Sequence, residues 1–125
     1  MSAVARPFGV TLVGILVVIA AIGSIIGSVL GLLDADVRAG AGLVAMIILL
    51  VIGLIYLALA KGIFDGNNFA RLVIGFMSVI GLISGVYHLI FVPDFRLVGA
   101  VQIVYELIIL GLLFNRRATA FFVLR

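Results

Sequence analysis

Long apolar runs separated by short polar segments occupy most of the chain. Four runs contain neither Lys nor Arg, and they cover residues 8–33, 39–60, 72–92 and 97–114. A helix rises about 1.5 Å per residue, and the hydrocarbon core of a bilayer is about 30 Å thick. Each run is therefore long enough to cross a membrane, the last one barely. The pattern predicts an all-α integral membrane protein with four transmembrane helices.

The connections between the runs are too short to form a soluble domain. Residues 34–38 and 93–96 are expected to form tight turns, and short connections force consecutive helices to lie antiparallel. We therefore expect a single domain, residues 1–125, folded as an up-down four-helix bundle. Residues 65–68 predict a further turn, with an Asn capping the third helix. The tail, 115–125, is expected to continue the fourth helix as an amphipathic stub on the membrane surface.

The few charged residues predict the orientation in the membrane. Only 10% of residues are charged, against about a quarter in soluble domains. If the spans alternate, most of the basic residues fall on one side, namely Arg6, Lys61, Arg71, Arg116, Arg117 and Arg125. Arg38 and Arg96 fall on the other side. The positive-inside rule then places both termini in the cytoplasm, and the basic residues are expected to contact lipid headgroups or a partner rather than nucleic acid.

The sequence shows no constellation of catalytic or metal-binding residues. There is no cysteine and only one histidine, which excludes disulfides, thiol chemistry and a site built from several histidines within one chain. No Ser/His/Asp order, carboxylate pair or phosphate-binding loop is present. We therefore expect a protein without enzymatic activity, metal or cofactor.

Glycines recur every four residues in the first run, at Gly23, Gly27 and Gly31, and the spacing repeats once in the third run at Gly81 and Gly85. Such a stripe lets another helix backbone approach closely. Two interpretations are open. The stripe packs against a neighbouring helix of the same chain, or it forms the interface of a homo-oligomer or a partner protein.

Glu106 is the one acidic residue inside an apolar run. An acid at the centre of a membrane helix costs about 2.5–3.5 kcal/mol on insertion scales, so it should have a partner or a wet cavity. Three interpretations are open. The carboxyl is part of a hydrogen-bonded clamp between helices, it pairs with a basic residue of a partner protein, or it is a titrating site.

Counting inward from the helix ends predicts partners for Glu106 at matching depth. Polar residues spaced i,i+4 share one face of a helix, and three runs each contain such a pair near the level of Glu106. The predicted polar site comprises Glu106, Gln102, His88, Ser84, Ser24 and Ser28.

Two segments resemble a known group of proteins. The opening Arg6-Pro7-Phe8-Gly9-Val10-Thr11 and the turn Gly66-Asn67-Asn68-Phe69-Ala70-Arg71 resemble small, uncharacterised four-span membrane proteins of prokaryotes. The resemblance implies the four-helix architecture and a prokaryotic cytoplasmic membrane, and it implies no chemistry.

Two functions are compatible with these features. The first is a non-catalytic accessory or scaffold subunit, or a homo-oligomer, that packs through the glycine stripe. The second is a small proton-coupled transporter that works as a homodimer with Glu106 as the titrating group. Four short helices and a lone membrane acid resemble the small multidrug-resistance exporters. Those proteins, however, have the acid in the first span with Trp nearby, whereas here it lies in the fourth and Trp is absent.

Overall fold

The computed structural model describes residues 5–123, which form helices joined by short turns, with no strand in that range. The helices are α1 (Phe8–Leu33), α2 (Ala35–Arg38), α3 (Gly42–Asp65), α4 (Asn68–Phe91), α5 (Arg96–Leu113) and α6 (Arg116–Val123), and a 3-10 turn, Pro93–Phe95, precedes α5. Four of them, α1, α3, α4 and α5 with its 3-10 turn, are long and apolar enough to cross a membrane. The prediction of an all-helical chain with four candidate spans is confirmed.

The connection between α3 and α4 is shorter than the hydropathy pattern predicted. The second run was expected to end at residue 60 and the third to begin at residue 72, but helix occupies most of this interval. Lys61 and Asp65 lie at the end of α3, where they form an i,i+4 ion pair of 2.7 Å that adds a small stabilisation to the last turn. Gly66 then ends the helix with φ 78°, a left-handed conformation that favours glycine.

The expected Asn cap at the start of α4 is confirmed. The Asn67 side chain accepts hydrogen bonds from the backbone N–H groups of Phe69 and Ala70, at 2.9 Å and 3.3 Å. These two amides would otherwise lack a partner, because the first turn of a helix has no preceding carbonyls. The side chain therefore fixes the point at which α4 begins.

The buried apolar side chains gather at one end of the bundle, which we call the α6 end. They come from the first half of α1 and α4, the last half of α3 and α5, and from α6. The set is Val10, Val13, Val17, Ala60, Ile63, Ala70, Ile74, Ile109, Leu113, Ala118, Phe121 and Phe122. Contributions from all four candidate spans make this cluster the place where the helices hold together.

In the opposite half of the bundle the helices pack as two pairs. Gly53 of α3 lies against Ile25 of α1, so this pair is in close contact. Gly85 of α4 likewise faces Gly99 of α5, backbone against backbone. The other large apolar side chains of this half are mostly exposed. Such a surface would be a liability in water but is the normal outer surface of helices in lipid.

Helix α6 is a correction to the sequence analysis. It does not continue the fourth helix, because Phe114 and Asn115 interrupt the two helices. Nor do all its apolar side chains face a membrane surface. Phe121 and Phe122 are only 6% and 4% exposed, and they lie in the core cluster. The physical reason is that an aromatic ring has a large apolar surface, and packing against the end of the bundle buries both rings.

Candidate functional site

Glu106 lines a cavity of about 70 Å³ at the centre of the bundle. All four candidate spans contribute to its wall, which consists of Val17, Ala20, Tyr56, Ile74, Met77, Ser78, Tyr105, Glu106 and Ile109. The cavity lies at the inner edge of the core cluster, since several of its lining residues belong to that cluster or pack against it. Glu106 is 8% exposed.

The Glu106 carboxyl lies directly against the backbone of α4. At Gly81 an added Cβ would overlap the Glu106 carboxyl oxygen, so a larger residue here would require the acidic side chain to move. Both residues were predicted from the sequence, Gly81 as a packing glycine and Glu106 as part of a polar site. The structure joins them, because the small residue on α4 provides the space that the acidic side chain of α5 occupies.

Three hydroxyl groups share the cavity with Glu106, from Tyr56, Ser78 and Tyr105. The Tyr105 hydroxyl also donates to the carbonyl oxygen of Leu16, at 3.4 Å. These three residues were not among those predicted to form the site. The sequence does mark them, because each is a polar residue within an otherwise apolar run.

The size and lining of the cavity limit what it can hold. Pockets for drug-sized ligands usually measure about 300–1,000 Å³, several times the volume found here. A cavity of this size has room for a small number of water molecules, and a carboxyl with hydroxyl groups around it can hydrogen-bond them. The site is therefore suited to a proton or to water and too small for an organic substrate.

Of the six residues predicted to form one polar site, only Glu106 lines the cavity. None of Ser24, Ser28, Ser84, His88 and Gln102 lines the Glu106 cavity. Ser24 donates instead to the carbonyl oxygen of Leu49 on α3 at 2.9 Å, and Ser28 donates to Ile25 within its own helix at 2.8 Å. The Glu106 carboxyl lies against Gly81 instead, less than one turn from Ser84. Counting residues along the helices could not give the rotation of each helix about its axis.

Ser84 and His88 contact each other within α4, away from the cavity. The ring Nδ1 of His88 lies 2.7 Å from the Ser84 carbonyl oxygen and 3.5 Å from the Ser84 hydroxyl. A carbonyl oxygen can only accept, so Nδ1 must carry the proton and donate it. In this arrangement Nδ1 is not free to act as a base toward the hydroxyl.

The glycines of the predicted packing stripe separate into two groups. Gly81 and Gly85 pack against α5, and Gly31 packs against Met46 of α3. An added Cβ at Gly23 or Gly27 would meet no atom within 4 Å. The interpretation that the stripe packs inside the chain is therefore wrong for these two positions, because at this level α1 presents Ser24, and not Gly23 or Gly27, to α3.

Arg71 is buried within the chain, which corrects its assignment as a headgroup or partner contact. It is only 7% exposed. Its guanidinium donates to the Leu113 carbonyl at 3.0 Å, to the Asn68 side chain at 3.1 Å and to the Thr119 hydroxyl at 2.8 Å. It also lies over the rings of Phe114 and Phe122, with centroid distances of 4.5 Å and 5.6 Å. Arg71 lies in the first turn of α4, from which its side chain reaches both the last turn of α5 and helix α6.

The other basic residues assigned to headgroups lie at the α6 end and are exposed. Arg6 donates to the Phe64 carbonyl and to the Thr11 hydroxyl, both at 3.0 Å, and Lys61 pairs with Asp65. The side chains of Arg116 and Arg117 are exposed on α6. Arg125 lies outside the described residues.

Within residues 5–123, no group of three or more His, Asp or Glu side chains is placed to hold a metal ion. Comparison with known proteins does not assign the chain to a family. No protein-family model, no curated protein and no solved structure matches it.

Proposed function

We propose that the chain is a small non-catalytic membrane protein whose four spans form two antiparallel hairpins. Contacts between helix ends support this arrangement. Gly14 near the start of α1 lies against Phe64 near the end of α3, and Gly75 near the start of α4 lies against Phe114 just after α5. The α6 end would face the cytoplasm of a prokaryotic cell, because it holds most of the basic residues.

Assembly with other membrane helices is the role that the geometry supports best, either as a homo-oligomer or as an accessory subunit of a larger complex. The observation behind it is the open face of α1 at Gly23 and Gly27, where nothing from the chain lies within 4 Å. A glycine pair one turn apart lets a second helix approach to backbone contact, which favours helix association in lipid. The face therefore suits a helix from a second copy or from a partner subunit.

Disulfide trapping tests this interface cleanly, because the chain contains no cysteine. We expect Gly27→Cys to form disulfide-linked dimers readily in native membranes if two copies meet at this face. Gly111→Cys is the matched control, since Gly111 is also exposed, with nothing within 4 Å of an added Cβ. Equal cross-linking at both positions would contradict a specific homo-oligomeric interface at Gly27.

A non-catalytic role is supported by how the polar side chains are used. Ser24 and Ser28 bond to backbone carbonyls, and the His88 ring donates to the backbone rather than activating Ser84. General base catalysis needs a base with a free lone pair within reach of the nucleophile's proton. The proposal of a non-enzymatic protein rests on this arrangement together with the motif content of the sequence.

A second candidate is a small proton-coupled homodimeric transporter, which the Glu106 cavity favours. The acid lies where all four candidate spans meet, so a change in its protonation would act on every helix of the bundle. Infrared spectroscopy of the carboxyl band, with Glu106→Gln to assign it, measures this directly. The transporter requires a protonation change between about pH 5 and pH 9. A carboxyl band that stays constant over that range would leave Glu106 as a structural clamp and exclude this candidate.

A further inference from the structure

A groove at the α6 end lies between the residues that precede α1 and the exposed face of α6. It has a volume of about 280 Å³ and is lined by Ala5, Arg6, Pro7, Arg117 and Ala120. Two arginines from distant parts of the sequence thus border one opening, while the other lining residues are small or apolar. This combination of two guanidinium groups and a short apolar wall differs from the rest of the surface, where the exposed side chains of the spans are large and apolar.

The two arginines differ in how far they are already engaged. Arg6 is held in place, because its Nε donates to Thr11, its Nη1 donates to the Phe64 carbonyl, and its guanidinium lies 5.1 Å from the Phe64 ring centroid. Its Nη2 has no hydrogen bond to any of the described residues. Arg117 makes no hydrogen bond or ion pair with any other residue in the range 5–123. The groove therefore contains one guanidinium that is held in place, that of Arg6, and one that has no bond to the described residues, that of Arg117.

The surrounding backbone adds positive potential to the groove. Pro7 is the residue before α1 and offers no side-chain cap to the first turn of that helix. Arg117 lies in the first turn of α6, where the Asn115 side chain accepts from the Ala118 N–H. Helix N-termini carry partial positive charge. The acid that lies at this end, Asp65, is bonded to Lys61 at 2.7 Å. The electrostatic character of the groove thus favours an anion.

We propose that this groove binds the phosphate of an anionic phospholipid. Guanidinium groups match the oxygen geometry of a phosphate, and here Arg117 and the Nη2 group of Arg6 supply the N–H donors. The groove lies beside the starts of α1 and α6, at the end of the candidate spans, where lipid headgroups are found if these helices cross the membrane. Ala5, Pro7 and Ala120 leave room beside the phosphate for the glycerol part of the lipid. The inference depends on membrane insertion and is independent of whether α1 forms an oligomer.

Native mass spectrometry of the delipidated full-length protein in mild detergent tests the site. Phosphatidylglycerol and phosphatidylcholine with identical acyl chains are added separately, and the bound fraction is measured. We expect preferential binding of phosphatidylglycerol. Arg117→Gln should lower its affinity about fivefold, the effect of one basic residue near an anionic lipid, and Arg117→Lys should restore part of it. Arg117 is exposed, so these variants should fold, and circular dichroism checks that they do.

Arg96→Gln is the matched control, because Arg96 is an exposed arginine at the opposite end of the bundle. It should leave phosphatidylglycerol affinity unchanged. Three results would overturn the proposal: equal binding of the two lipids, no loss in Arg117→Gln, or the same loss in Arg96→Gln. Inorganic phosphate that competes as strongly as the lipid would also overturn it, by showing a site for free phosphate instead.

Discussion

The guanidinium of Arg71 joins three helices at the α6 end. Its bond to the Leu113 carbonyl satisfies one of the last carbonyls of α5, which have no partner within their own helix. Its bonds to Asn68 and Thr119 connect the start of α4 to α6. The rings of Phe114 and Phe122 cover its faces. A charge buried in this way is tolerated because each of the three guanidinium nitrogens donates a hydrogen bond.

Removing the Arg71 guanidinium should therefore destabilise the fold. We expect Arg71→Met to lower the free energy of unfolding by about 2 kcal/mol or more, because hydrogen bonds to a charged group are lost and a buried carbonyl is left unpaired. Equilibrium unfolding in mixed micelles measures the effect. Arg116→Met is the matched control, since Arg116 is exposed on α6. Similar stabilities for the two variants would show that the Arg71 network contributes little.

At the scale of the elements, α4 and α5 approach most closely at Gly85 and Gly99. An added Cβ at Gly99 would lie 2.6 Å from the Gly85 carbonyl oxygen and 2.8 Å from the Leu89 nitrogen. Both of these are backbone atoms, which cannot move aside as the end of a flexible side chain can. The two helices would have to separate to admit even one methyl group.

Gly99→Ala should accordingly destabilise the protein by about 1–3 kcal/mol, the usual cost of overpacking. Gly111→Ala provides a sharp comparison, because the same methyl group at that position would meet nothing within 4 Å and Gly111 lies outside the proposed assembly face. Alanine is also the better helix former, so we expect the unfolding free energy of this variant to be unchanged or higher. If Gly99→Ala is as stable as Gly111→Ala, the close contact of α4 with α5 is incorrect.

Helix α6 contributes to the same core through its aromatic residues. Phe122→Ala should lower the free energy of unfolding by about 3 kcal/mol, because it removes a buried ring from the cluster and from the face of Arg71. Val123→Ala is the control, as Val123 is 53% exposed on the same helix. A negligible effect of Phe122→Ala, measured in the same unfolding assay, would favour the surface-lying tail that the amphipathic pattern first indicated.

Across the whole molecule, hydropathy predicts the elements better than it predicts their faces. The four long helices follow from their apolar runs, and the Asn67 cap follows from local turn chemistry. In water the buried face of a helix is marked by its apolar side chains, but in lipid both faces are apolar, so this signal is lost. The sequence therefore singled out Glu106 but did not identify Tyr56 and Ser78 as its neighbours.

The glycine stripe illustrates the same limit. Spacing shows that Gly23, Gly27 and Gly31 lie on one side of α1, and this much follows from helix geometry. Whether that side meets another helix of the chain depends on the rotation of α1 against α3, which the Ser24 bond to Leu49 helps to fix. The resulting fold concentrates its shared core at the α6 end and leaves Gly23 and Gly27 open.

Native mass spectrometry of the protein extracted from its own membranes is the decisive test of assembly through α1. We expect a homo-oligomer or a stoichiometric complex with other subunits. We also expect Gly27→Leu to release a folded monomer, because leucine fills the face that a partner helix would use. Gly111→Leu, at another open glycine, should leave the assembly intact. A monomer in the unaltered protein, or an assembly that survives Gly27→Leu unchanged, would contradict association through this face of α1.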